Sequence, residues 1–497
     1  MFSFRSITAP VPPAGPPGRR QRRVILLICS LSLFMTYVDS TILNVALPTI
    51  ARQFHVGVAD LQWVADAYLL VLSSFIMLIG SLADRIGRRR IFMTGLLLFS
   101  AGSLLCSLAP SVQFLIGFRM LQAIGGCMLT PVSLSIIRQV FTDPVERARA
   151  LGIWSAIFGI GIATGPILGG VLVSGIGWRS IFWVNVPVGA GAWLLARAHV
   201  PESRAPRARR VDPGGQLLVI LLLSSTTFAV IDGASLSWGS APIVAAFGLG
   251  GVALLLLIVL ERSRFEPLIE LHFFSSPTFS VAIGAAITAF LALSGFLFVN
   301  TLYLQEVRGD SAFTAGISLL PATVAIAASA LVSGRLVARY GPRMPMVLAG
   351  LGIAIGAALL LDLKQSTPYT LLILSYILLG LGFGLINPPI TNTAVTGMPP
   401  EQAGVASATV STSRQVGSVL GVAVMGSLVT GAGLGNGRLP RSDAAAFTAS
   451  THLAWMLVIA CGVACALAAT LFTGPWGLRA AARVYEDSPA ASSAALR

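Results

Sequence analysis

The sequence predicts an all-α polytopic membrane protein. Of its 497 residues, 55% are hydrophobic and only 10% are charged, whereas an ordinary soluble domain carries about a quarter charged residues. So few charges cannot cover a water-soluble surface, and the repeated apolar runs of about 20 residues match the thickness of a bilayer's hydrocarbon core. The 51 glycines suit helices that pack closely in lipid.

The hydropathy pattern divides the chain into fourteen candidate membrane-spanning helices, and an even number places both termini on one side. Most of the 33 Lys and Arg residues fall on that side, so the positive-inside rule predicts cytoplasmic termini. Because these residues lie in short loops, the net charge of +14 does not indicate a nucleic-acid partner. The predicted spans begin near Val24, Leu61, Ile91, Val112, Ala148, Ser180, Pro213, Ala241, Pro277, Thr314, Met344, Pro368, Ala403 and Leu453.

Two short stretches indicate an internal repeat. Residues 80–89 read GSLADRIGRR after the second span, and residues 334–343 read GRLVARYGPR after the tenth. An offset of eight spans predicts two six-helix bundles separated by two extra helices, an arrangement typical of transporters with parallel repeats. The predicted division is a disordered basic tail over 1–23, an N-terminal bundle over 24–200, a linker with two extra helices over 201–276, a C-terminal bundle over 277–474 and a cytoplasmic tail over 475–497.

The loop after the second span carries the strongest motif. Glycine permits sharp turns, and a carboxylate can bind helix N-terminal N–H groups or neighbouring Arg side chains. We expect a gating latch in which Asp84 closes against the start of the thirteenth span, near Gln402 and Ala403. A loop that only signals topology is the alternative. The motif residues are Gly80, Asp84, Arg85, Gly87 and Arg88.

The fifth predicted span carries a glycine motif. Gly161, Gly165 and Gly169 recur every four residues and therefore share one helix face, which allows another helix to approach closely. Pro166 favours a kink, and Gly170 completes the motif. An ordinary packing seam of small residues is the alternative.

Three charged residues inside spans lie at similar predicted depth. Asp39, Asp66 and Arg119 fall in the outer half of the membrane in the first, second and fourth spans, where charges are costly and indicate function. Burial favours a neutral carboxyl group and a nearby guanidinium favours the ionised one. We expect Asp39 to carry a proton, Arg119 to set its affinity, and Asp66 to share the proton or contact a cationic substrate. For Asp66 and Arg119, extension to the outer interface is the alternative.

Arg414 lies near the middle of the thirteenth predicted span. At that depth its guanidinium cannot easily reach either membrane surface. It either pairs with polar groups of the second bundle or lines a cavity.

These motifs, taken in order, resemble those of the fourteen-helix drug:proton antiporters of the major facilitator superfamily, from Val24 to Gly474. Ala338 replaces the second copy's acid, which is a departure from the repeat. The runs that carry the resemblance are DSTILNVALP from Asp39, QWVADAYL from Gln62, the loop from Gly80 to Arg90, RMLQAIG from Arg119, the stretch from Gly161 to Gly170, and WRSIFWVNVP from Trp178.

The resemblance implies a proton-coupled antiporter that exports lipophilic drugs or antibiotics from the cytoplasm or inner leaflet by alternating access. It also implies a multi-pass protein of a bacterial cytoplasmic membrane that functions as a monomer. The resemblance does not specify the charge of the small lipophilic substrate, and a cationic substrate is one option. The predicted cavity residues are Asp66, Tyr68, Gln122 and Arg414.

Several other functions are alternatives to this one. A dedicated exporter of a self-made antibiotic or of a lipid would use the same machinery. A membrane-embedded enzyme or sensor is disfavoured because no clustered catalytic set is evident. No phosphate-binding GxxxxGK[ST] loop occurs, and the five cysteines lack metal-ligand spacing. We therefore expect the proton gradient as energy source, and neither a cofactor nor a metal.

Overall fold

A computed structural model describes residues 18–204, 212–264, 270–396, 403–431, 444–474 and Gly477. Its long helices begin close to the predicted spans, most of them within a few residues. In chain order they are α1 Arg19–Phe54, α2 Val58–Ile86, α3 Arg88–Ser107, α4 Val112–Val140, α5 Pro144–Gly175, α6 Ser180–His199, α7 Pro213–Leu236, α8 Ala241–Ser263, α9 Pro277–Val307, α10 Ala312–Tyr340, α11 Arg343–Ala358, α12 Tyr369–Val395, α13 Ala403–Gly431 and α14 Ala444–Phe472.

The prediction of an all-helical, multi-span protein is confirmed for the described part of the chain. Twelve described helices are long and apolar enough to cross a membrane. The other two are α11, an apolar helix of 16 residues, and α13, which has 29 residues and carries Arg414. Fourteen spans and cytoplasmic termini stay predictions.

Helix pairing follows the same pattern in the two halves of the chain. Within α1–α6 the main contacts are α1 with α5, α2 with α4, and α3 with α4 and α6. Within α9–α14 they are α9 with α13, α10 with α12, and α11 with α12 and α14. Adding eight to each label of the first set produces the second, so the repeat seen in the two loops extends to the packing of whole helices.

The two halves meet mainly along two helix pairs, α2 with α13 and α5 with α10. The helix α7 packs against both members of the first pair, and α8 packs on α7. Two polar contacts join α7 to α2: Gln216 Nε2 donates to the Ser74 carbonyl oxygen at 2.6 Å, and Trp63 Nε1 donates to Asp232 Oδ2 at 2.9 Å. The extra helices therefore cover one side of the seam between the halves.

Candidate functional site

A cavity of about 1020 Å³ lies between the two halves. Its wall on α1 extends only as far as Asn44, and its wall on α2 begins at Ala65 and continues to Asp84. The lining on α1 starts at Leu33, in the middle of that helix, whereas Asp84 lies near the end of α2. Because α1 and α2 run in opposite directions, the cavity extends from the middle of the molecule to the end where α1 begins and α2 ends. It therefore opens toward the end that the positive-inside rule assigns to the cytoplasm.

The opposite end of the molecule is closed by contacts between the halves. Gln62 Nε2 on α2 donates to the carbonyl oxygens of Val422 and Ala423 on α13, at 3.1 and 2.8 Å. Gln305 Nε2 on α9 donates to the Val45 carbonyl oxygen on α1 at 2.9 Å. The structure is thus open at one end and closed at the other, as alternating access requires of each of its end states.

A buried ion pair stands beside this cavity. Arg119 Nη1 on α4 donates to Asp39 Oδ2 on α1 at 2.5 Å, and both side chains are at most 1% exposed. The other carboxylate oxygen, Asp39 Oδ1, accepts from Gln122 Nε2 and from Asn185 Nδ2, each at 2.7 Å. Ser103 Oγ on α3 accepts from the same two amides at 3.3 and 3.0 Å. Side chains of α1, α3, α4 and α6 therefore converge on one carboxylate.

The ring of Tyr68 connects this pair to the cavity. The Arg119 guanidinium carbon lies 4.2 Å from the centre of the Tyr68 ring, within the range of a cation–π contact. Both residues line the cavity, and the Tyr68 hydroxyl has no hydrogen-bond partner among the described residues. A change in the charge of Asp39 therefore reaches the cavity wall through Arg119 and Tyr68.

Two of the predicted cavity residues, Asp66 and Gln122, do not line the cavity. Asp66 is fully buried, neither of its carboxylate oxygens has a hydrogen-bond partner among the described residues, and it is absent from the cavity wall. Asp66 and Tyr68 are two residues apart on α2. Two residues correspond to a rotation of about 200° around a helix, so the two side chains lie on opposite faces of α2. Gln122 is also absent from the wall, because its amide is engaged with Asp39. In this conformation no hydrogen bond or ion pair among the described residues joins Asp66 to Asp39 or Arg119, and its predicted role in sharing the proton or contacting a cationic substrate stays a prediction.

Hydrogen bonds within the predicted gating loop, and one to the segment after α6, hold the loop in place. Arg88 donates to Asp84 Oδ1 through Nη2 at 2.8 Å and through Nε at 3.0 Å. Gly87 adopts φ = 131°, which favours glycine, and the Arg88 N–H donates to the Ser203 carbonyl oxygen at 2.9 Å. The proposed latch partner Gln402 lies outside the described residues. In this open-ended conformation Asp84 is paired with Arg88. Gly80 and Asp84 line the mouth of the cavity, and Arg85 lies exposed beside them.

The glycine motif of α5 packs on α1. A Cβ at Gly165 would lie 2.9 Å from Thr41 Cβ, and one at Gly169 would lie 2.9 Å from Ile42 Cγ1. Gly161 is less tight, with Tyr37 Cβ at 3.1 Å.

The rest of the motif faces α10 in the other half. A Cβ at Gly170 would lie 2.9 Å from the Ala312 carbonyl oxygen, and the Pro166 carbonyl oxygen contacts the Cβ position of Gly316. The motif thus packs α5 closely against α1 in its own half and against α10 in the other half. Motion between the halves must change the second contact.

Arg414 lines the cavity on α13. Its Nη2 donates to Thr391 Oγ1 on α12 at 2.6 Å, and its Nε is buried without a partner among the described residues. Arg414 therefore bonds to a neighbouring hydroxyl group of the second half and also faces the cavity.

Two members of the buried network, Ser103 and Asn185, were not predicted as site residues. Asn185 belongs to the run WRSIFWVNVP, which starts at Trp178 and contributes to the family resemblance. The motif marks this segment as characteristic of the family, but it does not indicate that Asn185 binds the Asp39 carboxylate. Ser103 carries no comparable signal, because serine is common in membrane helices.

The chain matches a known family of membrane transporters. The model of the Major Facilitator Superfamily matches residues 29–422, and the chain belongs to that family. A solved bacterial homolog of the human lysosomal transporter Spinster, inward-facing and unoccupied, has a TM-score of 0.63, covers 95% of this chain and 100% of its own, and is 22% identical. At that identity the likeness shows the fold alone.

Several relatives of this chain are drug-resistance or drug-efflux proteins. Multidrug resistance protein Stp of Mycobacterium tuberculosis is 40% identical over 410 residues, which are 82% of this chain and 76% of the relative. Methylenomycin A resistance protein of Streptomyces coelicolor is 35% identical over 420 residues, 83% of this chain and 87% of the relative. Multidrug efflux pump LfrA of Mycolicibacterium smegmatis is 34% identical over 411 residues, 82% and 81% of the two chains. The family and these relatives are transporters and not enzymes.

Proposed function

We propose that this protein is a proton-coupled antiporter that exports lipophilic drugs or antibiotics by alternating access. The observation that carries the proposal is the Asp39–Arg119 ion pair, buried beside a cavity that is open at one end only. The names of the relatives, among them a multidrug efflux pump and a methylenomycin A resistance protein, support the substrate class. We further propose that the protein acts as a monomer in the cell membrane of a bacterium, without a cofactor, since helices of one chain enclose the cavity.

Asp39 is the proton carrier in this proposal. Its carboxyl group is buried and accepts hydrogen bonds from three side chains, those of Arg119, Gln122 and Asn185. Protonation removes the charge that compensates the Arg119 guanidinium and weakens charge-assisted hydrogen bonds, which are roughly twice as strong as neutral ones. A buried guanidinium that loses its carboxylate is strongly destabilised, by about 3–5 kcal/mol. The protonated state therefore favours a rearrangement that returns Arg119 to a polar partner or to water.

Arg119 also transmits this change to the cavity. Its guanidinium lies over Tyr68 and contacts Phe182 at 5.9 Å from the ring centre. When the guanidinium moves, the Tyr68 ring loses its cation–π partner and the cavity wall changes shape. Substrate in the cavity and a proton on Asp39 then favour different conformations, which is the thermodynamic requirement for exchange.

The test uses purified protein in proteoliposomes with an imposed pH gradient and a fluorescent neutral lipophile. Wild type should move the lipophile uphill, and nigericin, which collapses the pH gradient, should stop it. Asp39→Asn should abolish uphill transport while equilibrium binding of the lipophile persists. Asp362→Asn is the matched control, because Asp362 is exposed after α11, and it should transport as wild type does. Uphill transport by Asp39→Asn would show that the proton carrier lies elsewhere.

A further inference from the structure

The charges that face the cavity are unevenly compensated. Near its mouth, Asp84 pairs with Arg88 at 2.8 Å and Asp212 pairs with Arg264 at 3.6 Å. Arg138 is exposed at the same end. Deeper in the cavity the two guanidinium groups are those of Arg119 and Arg414, and Arg119 is neutralised by Asp39.

Arg414 has no such compensation. No ion pair joins it to an acidic side chain in the described ranges, and its one hydrogen bond goes to the neutral hydroxyl of Thr391. Its Nε is buried and has no partner there. A guanidinium removed from water without an anion is costly, so an anion bound at this position would offset that cost.

The surroundings of Arg414 suit the remainder of a lipophilic anion. The guanidinium lies 5.8 Å from the ring centre of Phe290 on α9, and Tyr37 on α1 is near enough to interact with it electrostatically. Asn387 lies one helical turn from Thr391 on α12, also lines the cavity, and has a buried Oδ1 without a partner in the described residues. Two aromatic rings, the Asn387 amide and the Arg414 guanidinium thus lie together at the interface between the two halves.

We propose that Arg414 is an anion subsite, so that the lipophilic substrates bound most tightly by this cavity carry a carboxylate or another anionic oxygen group. The guanidinium presents Nε and the Nη atoms in a fixed plane that matches two carboxylate oxygens. The inference rests on the proposed function for its biological meaning, but the binding preference itself needs no proton gradient. It also differs from the sequence-based option of a cationic substrate.

Three probes that share one fluorescent ring system isolate the effect of charge: 9-anthracenecarboxylate, its primary carboxamide and 9-anthracenylmethylammonium. Binding of each is measured by fluorescence on the purified full-length protein in detergent at neutral pH. Wild type should bind the carboxylate about tenfold or more tightly than the ammonium probe, since a hydrogen bond to a charged group exceeds a factor of ten in affinity. Arg414→Gln should remove that preference, and Arg414→Lys should keep part of it.

The matched control is Arg335→Gln, which removes an exposed guanidinium from α10 outside the cavity wall and should retain the full preference. The inference is overturned if wild type shows no saturable carboxylate binding, if it binds the ammonium probe as tightly, or if Arg414→Gln keeps the preference. Arg414→Lys supplies a folded variant if Arg414→Gln does not fold. Uphill transport of the carboxamide in proteoliposomes is scored separately. Its failure alongside an intact carboxylate preference would count against the antiporter and not against the subsite.

Discussion

Asn185 permits a sharp test of the buried network, because it contacts the carboxylate without contacting the guanidinium. Its amide donates to Asp39 Oδ1 at 2.7 Å and to Ser103 Oγ at 3.0 Å. The variant Asn185→Ala removes one of three donors to the carboxylate and leaves the bonds from Arg119 and Gln122 in place. The change is therefore confined to how strongly the site favours the ionised form.

The size of the effect follows from that lost donor. A hydrogen bond to a charged group contributes about 1.5–3 kcal/mol, and about 1.4 kcal/mol corresponds to one pH unit of proton binding. Because the donor stabilises the ionised carboxylate, its loss makes the protonated form relatively more stable. The pH at which transport is half-maximal should therefore rise by about 1–2 units.

The assay is the initial rate of gradient-driven efflux from proteoliposomes as a function of pH, with the size of the gradient held constant. Asn300→Ala is the matched control, since Asn300 is also a fully buried amide and accepts a hydrogen bond from the Tyr376 hydroxyl at 2.7 Å. It should lower the unfolding temperature without moving the pH profile. If Asn185→Ala also lowers the unfolding temperature but keeps the wild-type pH profile, Asn185 has only a structural role and the argument fails.

Three further outcomes follow from the contacts. Gly165→Ala should lower the free energy of unfolding by about 1–3 kcal/mol, because its Cβ would lie 2.9 Å from Thr41 Cβ. The control Gly152→Ala should leave the free energy of unfolding unchanged, because nothing lies within 4 Å of its Cβ position, and equal unfolding temperatures for the two variants would contradict the prediction. Asp84→Asn should slow efflux at matched expression through a conformational shift of about 1–3 kcal/mol, with little loss of stability because its pair with Arg88 is partly exposed; unchanged efflux kinetics would exclude a gating role. Asp66→Asn should leave binding of the carboxylate and ammonium probes unaltered and maintain or raise the unfolding temperature, since a buried carboxylate without a hydrogen-bond partner is costly. Selective loss of cation binding in this variant would instead support the predicted contact between Asp66 and a cationic substrate.

Membrane spans and their repeat were accessible from the sequence because they are one-dimensional properties. Apolar runs, loop charge and the two related loops depend on the order of residues along the chain. The starts of α4, α6, α7, α8, α9 and α13 coincide with the predicted ones. The start of α14 at Ala444 precedes the predicted Leu453 by several residues, because a helix can extend beyond its apolar run.

The depth of Asp39 and Arg119 was also visible, because depth follows from the residue count along a helix that crosses the bilayer. The sequence did not indicate how each helix is rotated about its own axis, and therefore which neighbour each side chain faces. Asp66 lies at a similar predicted depth, yet it faces away from the residue, Tyr68, that touches Arg119. A helix that is apolar on most sides carries little information about which side faces which neighbour.

The sequence by itself determined a multi-span helical protein, a repeat with an offset of eight helices, and a family whose motifs appear in order. Tertiary structure alone decided that Asn185 and Ser103 join the Asp39–Arg119 pair, that Asp66 does not, and that Arg414 faces the cavity without an acidic partner in the described residues. The physical reason is that local hydropathy specifies which segments enter the membrane, whereas the partners of a buried charge depend on how distant helices are rotated and packed against one another.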